Sequence, residues 1–226
     1  MNREMYQAVE AYMLSCMEDS AHDREHVYRV LNTALLIAQE EKMVDYDVLI
    51  CACLLHDIGR KEQFADPKVC HAMAGGEKAF SFLTNMGFEE VFAQKVQHCI
   101  ESHRFRTGNQ PRSLEAKIVF DADKLDACGA MGVARTLMYA GQVSAPLYTL
   151  TPDGKISDGN GESSPSFFRE YTFKLRKLYD RFYTKRGREL ALERKEAAVA
   201  FYHALLREAR ESHDASQDFL EALLQT

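Results

Sequence analysis

No stretch of this chain approaches the roughly 20 consecutive apolar residues that a membrane span needs. The opening MNREMYQAVEAYMLSCMEDS lacks the basic start and apolar core of a signal peptide, so the chain is expected to be cytoplasmic, with no membrane partner. Charge of one sign is never blocked: 28 Lys+Arg and 34 Asp+Glu are interspersed, the formal net charge is -6, and no basic footprint suggests a nucleic-acid partner. Cysteine occurs 6 times but never as Cys-x-x-Cys, which excludes zinc ribbons and dithiol redox centres. Cys16, Cys51, Cys53, Cys70, Cys99 and Cys128 are expected to be reduced, mostly buried thiols. Tryptophan is absent, which removes an intrinsic fluorescence probe and excludes no function. No internal repeat is present.

What the sequence does contain is the composition of a folded protein, 46% hydrophobic and 27% charged, in 226 residues, enough to bury a core without disulfides. The apolar spacing is helical almost throughout, and no stretch alternates as a strand would. Met5, Val9, Tyr12, Met13 and Cys16 form one stripe; Val27, Val30, Leu31, Ala34, Leu35 and Ala38 form another. Residues 45–57, DYDVLICACLLHD, are apolar from Val48 to Leu55, too continuous for a surface helix. They predict a central buried helix with Asp45 or Asp47 near its start and His56-Asp57 at its inner end. Further helices are expected at 70–85, 88–103, 112–124 and 127–140, with Gly59 and Gly87 as stops. The fold class expected is an all-α bundle.

Between 141 and 165 the Gly/Ser content and the turn Pro152-Asp153-Gly154 break helix, predicting a flexible loop or lid. Helical patterning resumes at Ser166 and predicts two long C-terminal helices packed on the bundle, with largely solvated charged faces. The expected organisation is a core at 1–140, the loop at 141–165, and a C-terminal extension of the same domain at 166–226. A homodimer through the long helices is the protein partner considered.

Chemistry is concentrated in the first half. His22, His26, His56, His71, His98 and His103 fall in the first 103 residues, and Asp121, Asp123 and Asp126 follow. A single histidine on an apolar face is usually a satisfied core residue. The pair His56-Asp57 differs, because a carboxylate closing an apolar run is costly to bury unless it is paired or metal-bound. Adjacent helical residues point about 100° apart, so both can face one ion only where the helix ends, and Gly59 supplies the bend. Imidazole with carboxylate suits Mn, Fe, Zn, Co or Ni and leaves positions for water and phosphate oxygens.

Three segments in order, Asp23-x-x-His26-x-x-Arg29-Val30, Leu54-Leu55-His56-Asp57-Ile58-Gly59 and Ala122-Asp123-Lys124-Leu125, resemble the H…HD…D signature of HD-domain metal-dependent phosphohydrolases. The resemblance extends over His71-Ala-Met-Ala-Gly75, Asp121 to Ala127, Gly132 to Arg135 and the tail from Phe173 through Thr184, Ala191 and Arg194. It covers most of the chain and is similar to the small bacterial HD hydrolases of the YpgQ and YedJ kind.

That resemblance implies one divalent transition metal ion, Mn first and Fe, Co, Ni, Zn or Mg as alternatives, held by His26, His56, Asp57 and Asp123. Asp121 and Asp126 are near misses, with Asp126, at i+3 from Asp123, a residue outside the ligand set or the base; Asp57 or Asp126 would accept the proton. Arg29, Lys61, His71 and His103 are the expected phosphate contacts, with His71 and His103 alternatively at the extra-ligand positions of binuclear relatives. Lys124 is a further anion candidate, joined by Lys174 and Arg194 on the tail's similarity alone. His22, with Asp23 as a helix cap, and His98 are expected to be structural.

The implied reaction is hydrolysis of nucleoside triphosphates, dNTP or NTP, to nucleoside monophosphate and pyrophosphate. The alternatives are a 5′-nucleotidase or other phosphomonoesterase, a nucleotide phosphodiesterase, and a non-catalytic nucleotide sensor. One departure narrows the field: Ile-Gly-Arg-Lys follows His56-Asp57, where alarmone hydrolases carry a Glu-Asp pair.

Overall fold

The computed structural model describes residues 1–17, 24–104 and 108–224, the side chains of 214–218 excepted. His22 and Asp23 lie outside the described residues. The elements in order are α1 (Arg3–Met17), α2 (Arg24–Ala38), α3 (Tyr46–Leu55), α4 (Arg60–Ala65), α5 (His71–Asn85), α6 (Glu90–Ser102), α7 (Leu114–Leu125), α8 (Gly129–Gln142), α9 (Phe167–Phe173), a 3-10 turn (Leu175–Asp180) and α10 (Lys185–Leu224). The fold is all-α; among the described residues the lone extended pairing is a bridge between Leu150 and Ile156. No described helix is long and apolar enough to cross a membrane. All six cysteines are free, four of them buried.

The chain divides into two compact units, Met1–Asp126 with Phe182–Gly187, and Ala127–Arg181 with Arg188–Thr226. The division differs from the boundaries expected at 140/141 and 165/166. The chain leaves the first unit directly after α7 and returns to it for six residues.

In the first unit α3 is the axis, packed against α1, α2, α5, α6 and α7. Asp45 caps it by accepting from Val48 N at 3.2 Å. Val48, Leu49, Cys51, Ala52, Cys53, Leu54 and Leu55 are all buried, as an unbroken apolar run requires once neighbours surround it. Each leucine so enclosed contributes about 1.5–3 kcal/mol by burial. His56 closes the helix in αR geometry. The next turn, Asp57–Gly59, lies against the start of α5, and glycine is what allows this: a Cβ on Gly59 would stand 2.2 Å from His71 O and 2.5 Å from Gly75 N. This backbone contact sets His71 beside the His56-Asp57 pair.

In the second unit Val133, Ile156, Phe167, Phe168, Tyr171, Leu175, Ala198 and Tyr202 form a core, in which Tyr171 stacks on Tyr202 at 4.2 Å. The loop after α8 is fastened to that core. Thr151 N donates to Lys155 O at 2.8 Å, Thr172 Oγ1 to Gly159 O at 2.9 Å and Tyr202 OH to Asp158 O at 2.7 Å. The first of the two long C-terminal helices is interrupted: α9 has 7 residues, Lys174 leaves helical geometry at φ -121, and the 3-10 turn follows. Further along the chain the N–H groups of Tyr183 and Thr184 bond to the side chain of Asp121. The second helix, α10, runs the expected course for 40 residues.

Gly59→Ala should cost at least the upper end of the roughly 1–3 kcal/mol usual for overpacking, because backbone rather than a flexible side chain blocks the new methyl. Urea unfolding of the variant measures this. A cost under about 0.5 kcal/mol would mean that the contact between Gly59 and α5 is not tight.

Candidate metal centre

Five helices of the first unit bring acid or imidazole to one place. α2 carries His26, the end of α3 carries His56 and Asp57, α5 begins with His71, the end of α6 carries His103, and the last turns of α7 carry Asp123 and Asp126. His26, His56, Asp57, His71, His103 and Asp126 are buried. Two groups can each hold a cation, His26–His56–Asp123 and Asp57–His71–His103, each with its donor atoms within 4.8 Å of one another.

The histidine tautomers follow from the oxygens at their outer nitrogens. His56 Nδ1 donates to Cys53 O at 2.7 Å and His103 Nδ1 to Ile100 O at 2.5 Å; a carbonyl only accepts, so these nitrogens carry the protons. His71 Nδ1 faces Gln63 Oε1 at 2.7 Å, and His26 Nδ1 faces Asp126 Oδ2 at 2.7 Å. In the rings of His56, His71 and His103 the Nε2 lone pair is then left for the centre, while His26, held between Asp126 and Asp123, carries a proton on Nε2 as well. His26 Nε2 and His56 Nε2 are 3.3 Å apart, as are His71 Nε2 and His103 Nε2. The lone pairs of His71 and His103, facing each other at that distance, do not bond; they converge on an electrophile. Asp57 joins the groups, with Oδ2 at 3.7 Å from both His26 and His56, and Oδ1 at 3.4 Å from His71 and 3.8 Å from His103. Asp123 Oδ1 is 3.3 Å from His26 Nε2.

Cations back the carboxylates. Arg60 Nε donates to Asp57 Oδ1 at 3.0 Å, Lys124 Nζ to Asp123 Oδ2 at 2.6 Å, and Arg29 Nε to Asp126 Oδ1 at 2.8 Å. Burial pushes the Asp57 and Asp123 carboxyls up, but the surrounding charges outweigh it, and both are held well below the usual carboxylate range. For Asp57 those charges are led by His56 and Arg60, for Asp123 by Lys124 and His26. Burial lowers His56, and it lowers His71 to about 2 and His103 to about 3. At His26 burial also works against the charged form, yet hydrogen bonds to Asp123 and Asp126 raise it to about 9.

Of the residues read from the sequence, the structure brings together His26, His56, Asp57, Asp123, Asp126, His71 and His103, with Arg29 and Lys124 at their carboxylates. Lys61 is on the exposed side of α4, and its neighbour Arg60 reaches Asp57 instead. Lys174 and Arg194 belong to the second unit, where Lys174 Nζ rests on Glu170 Oε1 at 2.7 Å. Asp121, fully buried, is engaged by Tyr183 and Thr184 and not by the histidines. Sequence reasoning missed Arg60 and Gln63. The i, i+3 spacing from Asp57 could have found Arg60; nothing local to the sequence signals Gln63, which meets His71 through the α4–α5 packing.

An all-α unit whose buried histidines and aspartates converge in this way defines a metal-centred hydrolase. The chain belongs to the HD superfamily of metal-dependent phosphohydrolases: the HD domain model matches residues 24–128, and the YpgQ protein of Bacillus subtilis is 33% identical over 193 residues, 83% of this chain and 84% of that one. The crystal structure of Bacillus subtilis YpgQ in complex with ADP superposes with a TM-score of 0.69 at 29% identity, over 90% of this chain and 97% of that one. A predicted HD-superfamily hydrolase from an uncultured Thermotogales bacterium, 32% identical, does so with a TM-score of 0.58 over 91% of each chain. The donor set fits the divalent ion that the family implies, since borderline imidazoles and hard carboxylates meet there, and the one Nε2 that carries a proton, that of His26, gives it up when an ion binds.

Two outcomes follow for the chelator-treated protein. His26, raised to about 9, holds a proton that the ion must displace, so apparent Mn²⁺ affinity should rise by up to about tenfold per pH unit as pH increases toward 9 and then level off. Calorimetric titration in buffers of different ionisation enthalpy reads the released proton directly; affinity flat from pH 6 to 9 would contradict it. Asp126→Asn should weaken Mn²⁺ binding by about 10–100-fold, because the carboxylate that orients His26 is lost. Competition with a chromophoric chelator measures this, and an unchanged dissociation constant would remove Asp126 from that role.

Proposed function

We propose that this chain hydrolyses nucleoside triphosphates, dNTP or NTP, to nucleoside monophosphate and pyrophosphate. The observation that carries the substrate class is the ADP bound in the crystal structure of Bacillus subtilis YpgQ, a relative matched over 97% of its chain. The site residues support the chemistry. His26, His56, Asp57 and Asp123 hold the divalent ion, Mn in the first instance, and when bound that ion supplies Lewis acidity toward water and a phosphoryl oxygen.

The chain's own residues do the rest. Asp126 and Arg29 lock the ring of His26, so that one ligand cannot swing when the substrate arrives. Arg60, 32% exposed at its side chain, and Arg29, 30% exposed, have guanidinium edges that reach the surface of the site and contact phosphate oxygens while remaining on their carboxylates. Asp57, carrying charge and facing both histidine pairs, orients the attacking water.

His71 and His103 admit two roles. As phosphate contacts they must carry a second proton. As ligands, with Asp57, they hold a second divalent ion, and the 3.3 Å approach of their two Nε2 lone pairs favours this reading. Metal titration separates the two: His71→Ala should lower the stoichiometry from two equivalents to one if the pair are ligands, and leave it unchanged at one if they contact phosphate.

Product analysis with dNTPs, NTPs, a nucleoside monophosphate and a phosphodiester, each with Mn, Mg, Co, Ni or no metal, tests the activity. Metal-dependent release of monophosphate and pyrophosphate is expected, and Asp57→Ala should abolish it. Inorganic phosphate from the monophosphate alone would replace the proposal with a 5′-nucleotidase, and nucleotide binding without turnover would replace it with a sensor.

A further inference from the structure

Asp121 is the buried acid that the metal reading leaves unused. It lies on α7, two residues before Asp123, with no exposed surface. Its Oδ1 accepts from Tyr183 N at 2.9 Å, and its Oδ2 from Thr184 N and Thr184 Oγ1, both at 2.7 Å. Thr184 Oγ1 in turn accepts from Gly187 N at 3.0 Å, which makes Thr184 the N-terminal cap of α10 and Asp121 the anion set against that helix end. The approach is close enough to demand glycine: a Cβ on Gly187 would stand 2.6 Å from Asp121 Oδ2. Beside it, Tyr183 meets Phe120 edge to face at 5.1 Å, and Arg186 Nε reaches Glu40 Oε1 at 3.3 Å. Residues 182–187 are thus a strap across the outer side of the helix that carries the metal-centre acids.

We propose that Asp121 is a positioning residue for the metal centre: by capping α10 it fixes the rotation of α7 about its axis, and with it the placement of Asp123 and Asp126 on the two nitrogens of His26. The leverage is geometric. Asp123 Oδ1 is 3.3 Å from His26 Nε2, and Asp126 Oδ2 is 2.7 Å from His26 Nδ1, so one imidazole is gripped from both ends by one helix. A rotation of α7 by about 10° carries an atom at the ~5–6 Å side-chain radius through about 1 Å. Metal ligation tolerates about 0.2 Å. To the packing of Ile118, Val119, Phe120 and Leu125 on the same helix the buried carboxylate adds three directed, charge-assisted hydrogen bonds that fix its orientation.

The inference rests on the reading of His26, His56, Asp57 and Asp123 as a cation site, and the test keeps the two apart. The full-length protein, chelator-treated and then titrated with Co²⁺, is compared with Asp121→Asn, Thr184→Val and Thr184→Ser by visible absorption of the bound cobalt, by competition with a chromophoric chelator, and by urea unfolding. Asp121→Asn turns amide donors toward the N–H groups of α10. It should weaken Co²⁺ binding by about tenfold, the lower end for residues outside the ligand set, and alter the cobalt spectrum. Thr184→Ser, which keeps the hydroxyl, should match the parent in both readouts, and Thr184→Val should fall between.

A folded Asp121→Asn with the parent's cobalt affinity and spectrum overturns the inference, whatever its loss of stability. If that variant does not fold, the same two readouts on Thr184→Val decide. A parent protein that takes up no Co²⁺ overturns the cation reading and this inference together; a cobalt-binding parent indistinguishable from its variants overturns the inference alone.

Discussion

Everything at the metal centre depends on where four protons sit. Each histidine gives its Nδ1 hydrogen to a fixed oxygen outside the cluster: Cys53 O, Ile100 O, Gln63 Oε1 or Asp126 Oδ2. Two of these acceptors are main-chain carbonyls three residues back, at helix ends where the last carbonyls lack partners within the helix. The end of α3 thus turns the Nε2 atom of His56 into the cluster and, through the same local geometry, the end of α6 does so for His103. A terminated helix supplies the acceptor, and the acceptor selects the tautomer.

The same cluster buries more negative charge than an apolar core tolerates, and the fold answers with charge-assisted pairs and not with solvent. Arg60, Lys124 and Arg29 each stand on one carboxylate. Their side chains are partly exposed while the acids are nearly sealed, so the positive heads lie between the acids and water. The outcome is a cluster whose carboxyls stay ionised within the protein, each with a cationic side chain beside it.

Much of this was legible in the sequence, and what was not has a physical reason. The helices from 46 to 142, the six-residue α4 excepted, could be read because apolar spacing and caps are local properties, and Asp45 and Gly87 act as the pattern requires. The pair His56-Asp57 stood out because a carboxylate and an imidazole that close an unbroken apolar run are buried only at the cost of finding a partner or an ion, whereas His26, His71, His103 and Asp123 were picked out by the resemblance of their motifs to the HD family. Three features lay beyond local reasoning. The bonds of the Tyr183 and Thr184 N–H groups to Asp121 join residues some sixty positions apart. Gln63 matters only because Gly59 and Gly75 let two backbones touch. The division after Asp126, in place of one near 140, arises because the chain comes back to the first unit, and a return across such a distance leaves no mark on periodicity.

That return also gives the centre a timetable. A chain is made from its N-terminus, and by the time Asp126 has been added every residue of the two histidine groups has already been synthesised. The N–H groups that cap onto Asp121 belong to Tyr183 and Thr184, nearly sixty residues later, a wait of several seconds or more at about 5–20 residues per second. During that wait the carboxylate of Asp121 must be left to water or to transient neighbours, and the strap across α7 cannot exist. The parts of the cluster are therefore present well before the strap is, and the growing chain passes through an interval in which it owns every residue of both histidine groups without the contacts that Tyr183 and Thr184 bring to α7.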